Sequence, residues 1–175
     1  MTLTAPFAGA PAEVLRLKQR FASLDWTGRP GVALLTEYDR DRRWRTTSLV
    51  DLAAPASRKV LFDLSANDAY GDPGDPVMET RPSGERVALQ DGDAIYLAGD
   101  GASEAGDRPF LDRFSLATLK QERLFRCAEE RSERFLAFTG PSRTQALVRS
   151  ESKTDPPNLH VVDLASGARR SLTDT

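Results

Sequence analysis

The sequence holds one cysteine and one histidine, Cys127 and His160, in 175 residues. A lone cysteine excludes an intramolecular disulfide and a thiolate metal cluster. A lone histidine means that any imidazole base would have to be His160. No apolar run approaches the ~20 residues of a membrane span. Met1 to Gly9 has no lysine or arginine and no apolar stretch of signal-peptide length. Neither sign of charge dominates: the net charge is −2 and the pI about 5.5, so there is no general attraction to nucleic acid or anionic lipid. These absences lead to the expectation of a soluble, cytoplasmic protein without nucleic-acid or membrane partners.

What is present looks globular. Hydrophobic residues make up 39% and charged residues 29%, which argues against wholesale disorder. The length suits one domain, or part of one, burying roughly 70% of the unfolded surface. Asp107 to Arg126 reads as strand, short turn and strand, with Phe110, Asp112 and Phe114 alternating and Ala117-Thr118 at the turn. Similar hairpins occur twice more. One is Ser48 to Leu52 with Lys59 to Phe62; the other is His160 to Leu164 with Arg169 to Thr173. Their anchors Leu52, Leu116 and Leu164 lie 64 and 48 residues apart. A repeat of about 40–50 residues is the length of a β-propeller blade, a four-stranded sheet. The longer interval requires an inserted loop.

The fold expectation is therefore all-β: a partial β-propeller of about three four-stranded antiparallel blades, within 1–175. Residues 1–20 form a lead-in, and the blades span roughly 21–65, 74–128 and 132–175. Two segments resist this scheme. Val14, Leu17, Phe21 and Leu24 fit helical spacing, and Leu119 to Phe138 is rich in helix formers such as Glu122, Glu129, Glu130, Arg131 and Glu133. Propensity is a weak prior, so the repeat register puts Gln121 to Arg126 on a blade's outer strand. Residues 66–84, crowded with glycine, proline and aspartate, are the insertion, where turns dominate.

No reaction chemistry stands out. Gly101-Ala102-Ser103-Glu104-Ala105 lacks the final glycine of a serine-hydrolase elbow and precedes a strand rather than a helix. His160 alternates along a strand, and Cys127 is better read as a small buried hydrophobe than as a nucleophile. Asp91 and Asp93 lack the further ligands of an EF-hand. Asp72 and Asp75 are better read as side chains bonding their own turn than as a cation loop. Arg40, Arg42, Arg43 and Arg45 around Trp44 are interleaved with Asp39 and Asp41, as at a solvated hairpin tip. Gly99-Asp100-Gly101 lacks the third glycine and the helix of a phosphate cradle. No catalytic, metal-binding or cofactor-binding residue is assigned, and no cofactor is expected.

Four stretches carry a resemblance. They are Tyr70-Gly71-Asp72-Pro73-Gly74-Asp75-Pro76-Val77-Met78, Ile95 to Gly99, Gly106 to Arg113, and Arg149 to Asn158. On these the chain resembles the prolyl oligopeptidase family of serine peptidases, in its glutamyl-endopeptidase-like branch, from about Glu13 onward. The resemblance implies the N-terminal β-propeller of such a peptidase, which covers an α/β-hydrolase active site and restricts which peptides enter. It implies no catalytic residue here, because the family's serine, aspartate and histidine lie in the hydrolase domain, and the sequence reaches Thr175 before such a domain could begin. The implied partners are that hydrolase domain and a peptide passing the pore. The alternative is a self-standing interaction module that forms homo-oligomers or caps a partner through exposed blade edges. Which residues face the pore or bind peptide stays unassigned.

Overall fold

A computed structural model describes residues 6–175, so Met1 to Ala5 of the lead-in lie outside the described residues. Among the described residues every regular element is a β-strand, and no helix is present. The chain divides into two compact units, one comprising the residues through Asp68 with Met78–Gln90, the other Ala69–Val77 with Asp91–Thr175.

The first unit holds the antiparallel sheet β1 (Arg20–Trp26), β2 (Val32–Asp39), β3 (Trp44–Asp51) and β4 (Lys59–Ser65), ordered as in the chain. Val32, Ala33, Leu34 and Leu35 are all buried, which is how a short apolar run behaves when both sheet faces are covered. At the charged tip, Asp39 Oδ1 accepts hydrogen bonds from the amides of Asp41 (3.0 Å) and Arg42 (3.2 Å). The Arg42 guanidinium lies 4.9 Å from the centroid of Trp44. Helical spacing before Leu24 gives way to strand from Arg20 onward. The amides of Lys18 and Gln19 bond to Glu37 Oε1 at 3.0 and 3.2 Å, tying the entry segment to the sheet. Phe21, one of the periodic apolar residues, is 61% exposed and forms no core.

The turn-rich segment contains strands as well: β5 (Asp75–Pro76) and β6 (Met78–Thr80). β6 pairs with β7 (Arg86–Ala88) in a two-stranded ribbon within the first unit, where Val87 and Ala88 are buried. Arg81 Nη2 donates to the carbonyl of Gly28 at 2.6 Å in the same unit.

In the second unit, β5 is the edge of a sheet whose order continues through β9 (Ala94–Gly99), β10 (Phe110–Ser115) and β11 (Gln121–Arg126). The short β8 (Gln90–Asp91) leads into β9 through Gly92, whose φ is +60°. Ala94, Ile95, Tyr96 and Leu97 are all buried, as are Phe110, Leu111 and Phe114 on the neighbouring β10. Burying one leucine-sized side chain contributes about 1.5–3 kcal/mol. The β10–β11 turn closes through Ser115 N to Lys120 O, 2.9 Å, and it holds Leu119 at φ 59°.

The remaining sheet runs β12 (Ser132–Phe138), β13 (Gln145–Glu151), β14 (Asn158–Asp163) and β15 (Arg169–Ser171). Of the helix formers of 119–138, Glu122 lies in β11 and Glu133 in β12, where sheet pairing outweighs propensity, while Glu129, Glu130 and Arg131 lie in the turn between them. Along β12 the burial alternates: Glu133 and Phe135 are buried, while Arg134 between them is exposed. A register shift between Phe135 and Ala137 leaves Leu136 as the extra residue. Four-stranded antiparallel meanders are the sheets from which propellers are built, and the fold is β-propeller-like.

Candidate functional site

The residues considered for chemistry have mostly structural occupations. Ser103 Oγ donates to the carbonyl of Gly106 at 2.6 Å inside its loop. Asp72 Oδ1 accepts from the amide of Gly74 at 2.9 Å, a turn bonding its own backbone. Asp93 accepts from Ser115 Oγ at 2.8 Å across the β9–β10 hairpin, and that bond holds its carboxyl below the usual range. Asp91 lies 3.4 Å from Tyr96 Oη and 3.6 Å from Arg143. Trp44 Nε1 and Thr46 Oγ1 both donate to Asp63 Oδ1 at 2.7 Å, so the aromatic of the basic tip is spent on sheet structure. Among the described residues no group of three or more histidine, cysteine, aspartate or glutamate side chains is placed to hold a metal ion. Among the described residues no helix is long and apolar enough to cross a membrane.

Cys127 is fully buried between β11 and β12. Its Sγ lies 3.0 Å from the Arg131 carbonyl and 3.2 Å from that of Ala128, and it accepts the Glu133 amide at 3.2 Å. Burial pushes the thiol pKa up, so the sulfur is held as a protonated donor rather than as a nucleophilic thiolate.

The densest polar cluster surrounds Glu133, whose side chain is 0% exposed. Its Oε1 accepts Ser150 Oγ at 2.9 Å and an Arg169 Nη1 donor. Its Oε2 accepts Arg169 Nη2 at 3.0 Å and the amide of Ala128 at 3.3 Å. Burial alone would raise this carboxyl, but the Arg169 and Ser150 bonds outweigh it and hold the group ionised below its usual range. Ser150, itself fully buried, also accepts Arg131 Nε at 2.8 Å, and Arg131 Nη1 reaches Asp155 at 2.8 Å. His160 on β14 and Ser171 on β15 complete a hollow of about 410 Å³ lined by Ala128, Arg131, Ser150, His160, Arg169 and Ser171.

Sequence reasoning missed this cluster by counting Glu133 among helix formers. The available signal was a charged residue in alternation with Phe135, on the face that a strand turns inward. The other sheets hold related pairs. Glu37 is buried and bonds Arg58 at 2.7 Å, and Asp112 is buried beneath Arg123 and Gln121. Buried ion pairs of this kind position strands and register; they do not by themselves constitute a reaction centre.

No family model matches the chain. The chain is similar to a probable chloroplastic glutamyl endopeptidase of Arabidopsis thaliana, with 30% identity over 138 residues, covering 75% of this chain and 14% of that protein. It is similar to the corresponding protein of Oryza sativa subsp. japonica, with 31% identity over 132 residues, covering 72% of this chain and 14% of that protein. The chain thus spans about one seventh of the length of these relatives, and the relationship to peptidases is a distant one. Among solved structures, an oligogalacturonate lyase in complex with manganese aligns with TM-score 0.57 and 13% identity, over 95% of this chain and 45% of that one. TolB from Acinetobacter baumannii aligns with TM-score 0.48 and 16% identity, over 97% of this chain and 36% of that one.

Proposed function

We propose that this chain is a non-catalytic β-propeller segment of a peptidase-related protein, with blades over roughly 21–65, 74–128 and 132–175. In this reading it forms part of a wall and pore that selects the peptides reaching an α/β-hydrolase site outside 1–175. The observation that carries it is the 30% identity to glutamyl endopeptidases, falling on sheets whose polar groups are spent on structure. Gating is a steric and electrostatic task, and it asks of these residues only a rigid, charged surface. We place the protein in the cytoplasm, which fractionation of cells carrying a tagged chain would check.

The test begins with the gene. A coding sequence that continues beyond Thr175 into a Gly-x-Ser-x-Gly elbow, or a separate hydrolase that co-purifies with the chain, is the expected result. In that assembly, removing residues 1–175 should raise cleavage of long, folded substrates relative to short peptides. Equal cleavage of both with and without the segment would refute gating. A second reading has its own observation: Val60 on edge strand β4 and Leu172 beside edge strand β15 are 48% and 47% exposed. Unpaired edges carrying apolar side chains are templates for association. Light scattering decides, because a monomer at high concentration with no co-purifying protein would sink this second reading.

A further inference from the structure

The hollow beside Glu133 has more hydrogen-bond donors than acceptors, and this imbalance is built in. Glu133 is saturated: its two oxygens receive Ser150 Oγ, both Arg169 Nη groups and the Ala128 amide. A carboxylate offers about four lone-pair sites, so none is left to face the hollow. Arg169 spends two of its five N–H groups on Glu133, and Arg131 spends two on Ser150 and Asp155. Each guanidinium therefore keeps three N–H groups free of these bonds, and His160, half-buried on the lining of the same hollow, adds an imidazole. The six lining residues include three basic side chains and no carboxylate. Asp155 sits outside the lining, where it accepts from Arg131 and from Ser152.

The donors are also held in place. Ser150 is fully buried and donates to Glu133 while accepting from Arg131, so Arg131 is tied through Ser150 to the buried carboxylate that Arg169 bonds directly. Fixing such groups in advance removes part of the ordering cost that binding otherwise incurs. A planar or tetrahedral oxyanion matches forked guanidinium donors better than a spherical anion does. We propose that this hollow on the third sheet is a binding subsite for an oxyanion, a carboxylate or phosphate group, held by Arg131, Arg169 and His160. This assignment does not depend on the peptidase reading.

Because His160 is the single histidine, its ring resonances report on the hollow without ambiguity. The protein is titrated at fixed pH with inorganic phosphate and, separately, with acetate, and chloride keeps the ionic strength constant. The expected result is a saturable shift of the His160 ring signals with at least one of the two oxyanions and none with chloride. Arg131→Gln should weaken that binding about tenfold or more, the scale of one hydrogen bond to a charged group. If Arg131→Gln does not fold, His160→Ala, followed by the 31P line width of phosphate, should show a comparable loss. Equal, non-saturating shifts with chloride, or unchanged binding in the variant that folds, would overturn the proposal. A short peptide with a free C-terminal carboxylate, compared with its amide, separates the two sources. Binding of the free acid alone identifies a chain terminus as ligand, and binding of phosphate alone identifies a phosphate group. Failure of phosphate, acetate and peptide alike rejects the site.

Discussion

Replacing Glu133 by alanine withdraws the acceptor from four donors at once: Ser150 Oγ, two Arg169 nitrogens and the Ala128 amide. Because the Glu133 side chain is 0% exposed and that of Arg169 is 36% exposed, the abandoned guanidinium can reach water only in part. Removing one partner of a buried ion pair costs about 3–5 kcal/mol. Partial access of Arg169 to water puts this case near the lower end. With a urea slope of ~2 kcal/mol/M, that corresponds to a midpoint lowered by about 1.5 M. The double variant Glu133→Leu with Arg169→Met should recover most of the loss, because neither charge is then stranded. Acid should act through the same group. The folded-state pKa of Glu133 is depressed, so its contribution is present above the unfolded value near 4.5 and is lost as pH falls through the lower folded value. Accordingly, Glu133→Gln should be less stable than the parent at pH 7, and the gap should narrow below about pH 4. A midpoint change under about 0.5 M for Glu133→Ala, or a gap independent of pH, would refute the argument that this network holds the third sheet together.

Two further outcomes follow from geometry already described. Cys127, buried and with its thiol pKa raised, should resist Ellman's reagent in the native protein and react at once in denaturant, with rapid native labelling as the contrary result. Gly101→Ala places a Cβ 2.2 Å from the Arg108 carbonyl oxygen at a φ of +62°, so it should destabilise by more than about 1 kcal/mol in urea unfolding, and an unchanged midpoint would contradict the close approach.

How much of this was legible beforehand depended on the strand. The hairpin of β10 and β11 could be read because Phe110 and Phe114 alternate with polar residues and the turn is short. β13 shows itself by a short apolar run, Ala146 to Val148, and its every-second-position burial of Ala146, Val148 and Ser150 emerges only in the sheet. β1 could not, because Phe21 and Leu24 extend the helical spacing of Val14 and Leu17, and only pairing with β2 fixes the segment as a strand. β5 and β6 were hidden among turn residues, since two or three residues show no periodicity and are held by their neighbours. The Glu133 cluster escaped for a different reason. Alternation with Phe135 could mark Glu133 as inward-facing, but its partner Arg169 lies 36 residues away and no local pattern names it. The resemblance to a peptidase family is carried by local strings such as Tyr70 to Met78, which can be read without knowing how the strands pair.

The division of the chain into two units has a consequence for synthesis. Met78–Gln90 completes the first unit, yet it leaves the ribosome after Ala69–Val77, which belongs to the second. The sheet β1–β4 therefore waits for its ribbon while a stretch destined for β9 is already free in solution. At about 5–20 residues per second that interval is on the order of a second or more, long compared with the microseconds a hairpin needs to form. The order in which segments emerge thus differs from the order in which they can be used, and β5 must remain unpaired until Ala94–Gly99 arrives to receive it.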